Sequence, residues 1–259
     1  VSDSLYFEVH RGEGPYLLLV HGFLSSRSQW LENLDALKTF STPVVIELFG
    51  HGRSPAPADK ECYYPENYVN EFESIRKALK ISKWYVCGYS LGAGLTIRYA
   101  IEYPEVILGH IFTNSTSGFA TRESRERLLQ QQNEIIDQYA REGIAAVEKI
   151  PVHPRNASRL PERVKNSLLE DCNLLNPSAV ARTILYTNGY ASVREDISRN
   201  QLPALLICGR NESRFLPFRD FVFENMPFLE VVDLDAGHAV NAESPDAFNA
   251  ALRNFIQSG

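Results

Sequence analysis

The sequence predicts an α/β fold, a mostly parallel, doubly wound sheet interrupted by a helical cap insertion. Three observations lead there. Short apolar runs alternate with stretches of helical period, several of those runs are continuously apolar, and one long segment holds helical patterns alone. A strand covered by helices on both faces has no solvent side, so it reads as an unbroken apolar run. At 259 residues the chain suits one such unit with an insertion.

The elements follow in order. Strand signals fall at Tyr16–Val20, Val44–Leu48, Trp84–Tyr89 and Ile107–Thr113, then, after a long interval, at Ala204–Cys208 and Leu229–Leu234. Amphipathic patterns lie between them. Near the end, Phe248, Leu252 and Phe255 recur at i, i+4 and i+7 behind Ser244-Pro245, a helix start. This alternation is that of βαβ units. From about Gly118 to Asn200 the rhythm breaks, with helices expected over Arg125–Tyr139, Gly143–Lys149, Arg159–Asp171 and Ala179–Asn188. The expected organisation is therefore a core of residues 1–118 and 201–259 with a cap, or lid, of residues 119–200. Phe119–Asn200 contains 12 Lys+Arg and 11 Asp+Glu, against 14 and 21 elsewhere, so a cap of +1 sits on a body of −7. Two readings stand: ordinary solvated helix faces, or a lid whose arginines meet an anionic substrate.

Composition narrows the function. With 44% hydrophobic and 22% charged residues, the chain is neither disordered nor fibrous. A net charge of −6 argues against a nucleic-acid partner, which needs a basic face to displace counterions. The mean hydropathy is −0.23, and the longest apolar run, Tyr16–Val20, is strand-sized, which argues against a membrane span. Val1-Ser2-Asp3-Ser4 lacks the features of a signal peptide. The four cysteines, Cys62, Cys87, Cys172 and Cys208, have no metal-ligand spacing and read as reduced thiols. The expected compartment is the cytoplasm.

The strongest chemical signal is Gly88-Tyr89-Ser90-Leu91-Gly92, a G-x-S-x-G directly after the strand Trp84–Cys87 and before a helix closed by Pro104. In that slot it reads as a nucleophile elbow. The serine sits on a sharp turn made sterically possible by the flanking glycines, with a helix N-terminus to favour developing negative charge. His21-Gly22-Phe23 follows the first long strand. There, the N–H of Phe23 is expected to join that of Leu91 in an oxyanion hole, with His21 as a structural residue of the turn.

Of the six histidines only His238, in Ala236-Gly237-His238, falls after the last strand and before the last helix, where a general base reaches the serine. His10 and His153 lie away from strand ends, His110 is within a strand and His51 belongs to a turn. A serine–histidine pair needs a carboxylate to hold the imidazole tautomer, in the chain order Ser, acid, His. Glu212, three residues past Gly209, fills that slot. The alternative slot, Asn114-Ser115-Thr116-Ser117, has no carboxylate, and Asp235 is too near His238 in sequence to address its ring squarely. Glu47-Leu48-Phe49-Gly50-His51-Gly52-Arg53-Ser54 reads as a loop built to turn and pack.

Together and in this order, these motifs resemble the α/β-hydrolase superfamily over nearly the whole chain. Asn114-Ser115-Thr116-Ser117-Gly118-Phe119 with the Arg-rich helix after it, Cys208-Gly209-Arg210-Asn211-Glu212-Ser213-Arg214-Phe215, and Ala236-Gly237-His238 resemble the menaquinone-pathway synthase subgroup. That enzyme eliminates pyruvate to form succinyl-hydroxycyclohexadiene-carboxylate. The resemblance again selects Glu212, where that subgroup has an aspartate, and implies a substrate-binding cap arginine at or near Arg125, flanked by Arg122 and Arg127. It departs at Gly94, where the subgroup carries an arginine four residues after the nucleophile.

The residues thus favour a serine hydrolase of carboxylic esters, thioesters or lactones of a small molecule, with Ser90, His238 and Glu212 as its triad. Its chemistry requires no metal or organic cofactor. The alternatives are a lyase that uses the same residues as a general base and a non-catalytic receptor on the same fold. Haloalkane-type dehalogenation is disfavoured, because its nucleophile is an aspartate where this chain has Ser90. Tyr89 is a candidate substrate contact, with Tyr186 and Phe215 as further candidates, although aromatic residues are more often core.

Overall fold

The computed structural model describes residues 4–258. The signal-peptide reading of Val1–Asp3 falls outside them. Seven strands form one sheet in the order β1-β3-β2-β4-β5-β6-β7: β1 (Phe7–Val9), β2 (Tyr16–Val20), β3 (Thr42–Ile46), β4 (Trp84–Gly88), β5 (Ile107–Thr113), β6 (Ala204–Gly209) and β7 (Leu229–Leu234). All pairings are parallel except that of β1 with β3. The short antiparallel edge β1 has no counterpart among the expected strands, and β3 begins two residues before the predicted run, taking in Thr42 and Pro43.

Side-chain alternation divides the sheet between two cores. Leu18, Val20, Val44, Ile46 and Val86 face Tyr68, Val69 and Phe72 of the helix Pro65–Ala78 and Leu91, Leu95 and Tyr99 of the helix Leu91–Glu102. Their sequence neighbours Leu17, Leu19, Val45, Tyr85 and Cys87 face Phe248, Leu252 and Phe255 of the helix Pro245–Ser258. Leu17, Leu18, Leu19 and Val20 are all fully buried. Each such side chain stabilises the fold by about 1.5–3 kcal/mol, which is why these runs are continuous in the sequence.

Between β5 and β6 the chain is helical. The expected helix Arg125–Tyr139 is two, Arg122–Gln130 and Gln132–Glu142, divided at Gln131, where φ is −94° and ψ 7°. Ile144–Glu148 and Glu162–Cys172 follow, then Pro177–Arg182 running into a wider π turn over Thr183–Asn188. This segment has its own small core of Tyr139, Ala146, Val147, Cys172, Leu175, Val180 and Ala181, which closes over Leu24 and Phe23 from the loop after β2. No helix among the described residues is long and apolar enough to cross a membrane.

The register fixes where the site lies. Val20 pairs with Gly88, Gly88 with Phe112, Thr113 with Ile207 and Gly209 with Leu234. The C-terminal ends of β2, β4, β5, β6 and β7 therefore share one edge, where His21, Ser90, Asn114, Glu212 and His238 follow.

Candidate active site

Ser90 links β4 to the helix Leu91–Glu102 with φ 54° and ψ −116°, a left-handed conformation that costs a non-glycine residue about 1–3 kcal/mol. The turn holds because its neighbours give no room to relax. A Cβ on Gly92 would meet the carbonyl oxygens of Val20 and His21, the latter at 2.7 Å, and one on Gly88 would meet Thr96 and the backbone of Gly92. The Tyr89 N–H donates to the Val20 carbonyl at 2.9 Å, tying the turn to β2.

Ser90 Oγ lies 2.9 Å from His238 Nε2, and His238 Nδ1 lies 2.9 Å from both carboxylate oxygens of Glu212. Asn114, fully buried at the end of β5, grips the Glu212 loop. Its side-chain N–H donates to Glu212 Oε2 at 2.8 Å and to the Gly209 carbonyl at 2.9 Å, while its Oδ1 accepts from the Gly209 N–H at 3.1 Å. Burial pushes the Glu212 carboxyl up, but the His238 bond and charge, the Asn114 bond and the charge on Arg214 outweigh it. The group ends below the ordinary glutamate value. Asp235 takes no part, accepting instead from Asn211 at 2.8 Å.

Among the described residues neither the Phe23 N–H nor the Leu91 N–H donates to a protein acceptor, and both residues line one cavity with Ser90. Two neutral histidines brace their loop. The Leu48 N–H donates to His21 Nε2 at 3.0 Å, which leaves Nδ1–H to donate to the Gly22 carbonyl at 2.7 Å. The Leu24 N–H donates to His51 Nε2 at 3.2 Å, and His51 Nδ1 then donates to the Phe49 carbonyl at 3.0 Å. Burial, with His51 adding to it, lowers His21 to about 3, and burial lowers His51 to about 4. The rest of the Glu47–Ser54 loop turns on Glu47, fully buried and accepting from the Arg53 N–H at 2.6 Å and the Arg53 guanidinium at 3.0 Å.

Ser90, His238 and Glu212 open into a cavity of about 570 Å³ whose wall includes Phe23, Leu91 and Tyr89. Tyr89 lies beneath the histidine, ring centroids 5.4 Å apart. Arg125 lies elsewhere. Its guanidinium sits 5.5 Å from the centroid of the Tyr190 ring and lines a second cavity, which meets the first at Thr116, Ser117 and Asn188. Arg122 bonds Glu126 at 2.9 Å and Arg127 bonds Ser124 at 3.1 Å. The cations on the Ser90 cavity are instead Arg159 and Arg214. The sequence analysis gave no site role to Arg159, Arg214, Glu243 or the buried His153, and weighed Asn114 only as part of a slot without a carboxylate. The position of Asn114 in the second acid slot was the one available signal for any of them.

A serine on a strand-to-helix turn, facing a carboxylate-backed histidine at the C-terminal edge of a parallel sheet, is the arrangement of an α/β enzyme. The sequence pattern of the alpha/beta hydrolase fold matches residues 15–245, and the chain belongs to that family. A Bacillus subtilis protein provisionally named 2-succinyl-6-hydroxy-2,4-cyclohexadiene-1-carboxylate synthase is 27% identical, covering 100% of this chain and 97% of its own. The (lyso)-N-acylphosphatidylethanolamine lipase of Bos taurus is 26% identical, covering 93% of this chain and 79% of its own. Among solved structures, MenH from S. aureus superposes with a TM-score of 0.81 at 18% identity over 98% of both chains.

Proposed function

We propose that the protein is a serine hydrolase of carboxylic esters of a small molecule, thioesters and lactones included. The observation that carries this reading is the unbroken line from Ser90 Oγ through His238 to Glu212, with 2.9 Å at each step. His238 Nε2 takes the Ser90 proton as Oγ attacks the substrate carbonyl. The Phe23 and Leu91 N–H groups hold the resulting oxyanion, and Glu212 stabilises the imidazolium. The imidazolium gives its proton to the departing alcohol, leaving an acyl-enzyme. Water, deprotonated by His238, then releases the acid and restores Ser90. Tyr89 shapes the floor of the acyl cavity, and Arg125 meets those substrates that reach past Thr116 and Asn188.

A second reading, elimination of pyruvate with the same residues as general base, draws on the synthase-named relative that spans the whole chain. What weighs against it is Gly94, the position of that subgroup's arginine. A Cβ on Gly94 would lie 2.6 Å from the Ala191 carbonyl oxygen and 3.1 Å from Gly118 Cα, so no side chain fits.

Hydrolysis of p-nitrophenyl esters from acetate to octanoate by the parent and by Ser90→Ala tests the proposal. Saturable turnover that vanishes with Ser90 is expected. A folded parent that hydrolyses none of the series would turn the assignment to the elimination.

A further inference from the structure

Five residues past His238 lies a buried carboxylate that this mechanism leaves unused. The side chain of Glu243 is only 7% exposed, and it receives N–H donors from both sides of the histidine. Gly237 N–H donates to Oε2 at 2.7 Å and Ala239 N–H to Oε1 at 3.2 Å. Arg159, from the helical segment between β5 and β6, donates Nε to Oε2 at 2.6 Å. Gly237 lies against this pair, since a Cβ there would come within 3.0 Å of the carboxylate and 3.5 Å of Arg159 Cδ.

We propose that Glu243 is the positioning residue of His238, and that through Arg159 it ties the histidine loop to the helical segment above the cavity. The proposal rests on the reading of Ser90 and His238 as the reacting pair. The Ala239 N–H lies in the peptide plane that leaves the His238 Cα and the Gly237 N–H in the plane just before Gly237, so a single carboxylate holds the chain on both sides of the histidine. Ionised acceptors make such bonds about twice as strong as neutral ones. A loop held at both N–H groups sets the height of the imidazole over Ser90 Oγ, and displacement of a reacting group by about 1 Å costs on the order of 10²-fold in rate. The Arg159 cation offsets the desolvation of the buried carboxylate. Because Arg159 also lines the cavity, the helical segment and the histidine loop share one anchor.

The test compares the parent with Glu243→Ala and Glu243→Gln. It reads kcat and KM on a p-nitrophenyl ester, the rate of Ser90 phosphonylation by a fluorophosphonate, and cooperative unfolding. Glu243→Ala is expected to lose about 10- to 100-fold in kcat and in phosphonylation rate with KM nearly unchanged. Glu243→Gln, whose amide oxygen still accepts one N–H, is expected to recover part of both. If Glu243→Ala does not fold, Glu243→Gln carries the test on the same readings. A folded variant with parental kcat and phosphonylation rate, or one altered in KM alone, overturns the proposal. Phosphonylation reads the Ser90–His238 alignment whatever the natural substrate. A parent that is phosphonylated but hydrolyses no ester therefore counts against the ester reading, and the variants still decide the role of Glu243.

Discussion

Gly22 lies so close to Ser90 that a Cβ built on it would come within 2.8 Å of the serine Cβ and 3.0 Å of the Tyr89 ring. The loop bearing the Phe23 N–H is thereby pressed against the turn bearing the nucleophile, with no space for a methyl group between them. The separation of this loop from the nucleophile turn is set by contact of the Gly22 backbone with the Ser90 Cβ and the Tyr89 ring.

Gly22→Ala must push the two apart. Losing one oxyanion donor costs roughly 10²- to 10³-fold in kcat, and a loss near the lower end is predicted here. Ester kinetics beside a melting curve check it. A folded Gly22→Ala protein with parental kcat would show that Phe23 supplies no donor.

Glu212 and Asp235 flank the histidine loop, yet only Glu212 touches His238. Glu212→Ala is predicted to lower kcat by about 10²- to 10⁴-fold, and Asp235→Ala to leave it within a few-fold. Asn114→Ala, which strips a donor from Glu212, falls between them. Equal small losses for Glu212→Ala and Asp235→Ala would remove Glu212 from the triad.

Acid stability follows from the same carboxylate. Glu212 titrates below its unfolded value of about 4.5, so the unfolded chain binds the proton first as pH falls. Its contribution is complete above that value and is lost as pH drops through the folded pKa. Glu212→Gln is predicted to flatten the decline of Tm below pH of about 4.5, and an unchanged slope would contradict it.

His21 and His51 act over a higher range. Folded, they protonate only near 3 and 4, whereas in the unfolded chain both take a proton near 6.5. Between those values the unfolded state binds more protons. Stability is therefore full above about pH 6.5 and falls as the solution is acidified, by up to about 1.4 kcal/mol per pH unit for each histidine. Tm measured from about pH 7.5 to 5 is predicted to fall more gently in His21→Asn than in the parent. A parental Tm constant over that range would refute the neutral, buried state of both rings.

Much of this arrangement was legible in the residues. The parallel strands announced themselves because burial on both faces demands unbroken apolar runs, and β5 and β7 fall on the predicted residues. The Ser90 turn was marked by its glycines, and His238 by its place after the last strand. β1 escaped because three residues, one of them Glu8, carry no periodicity and exist only through pairing with β3. Asn114 meets Glu212 across 98 residues and Arg159 meets Glu243 across 84, contacts no local pattern encodes. The cavity that Arg125 lines depends on how the helix Arg122–Gln130 seats against Tyr190, which packing decides.

The most direct test of the account is whether ester cleavage passes through an acyl group on Ser90. Methanol added to the reaction competes with water for such an intermediate. The account predicts that p-nitrophenyl and phenyl esters of one acid give the same ratio of methyl ester to free acid, and that Ser90→Ala gives neither product. A ratio that changes with the leaving group would mean that water attacks the substrate directly, and would contradict the acyl-enzyme.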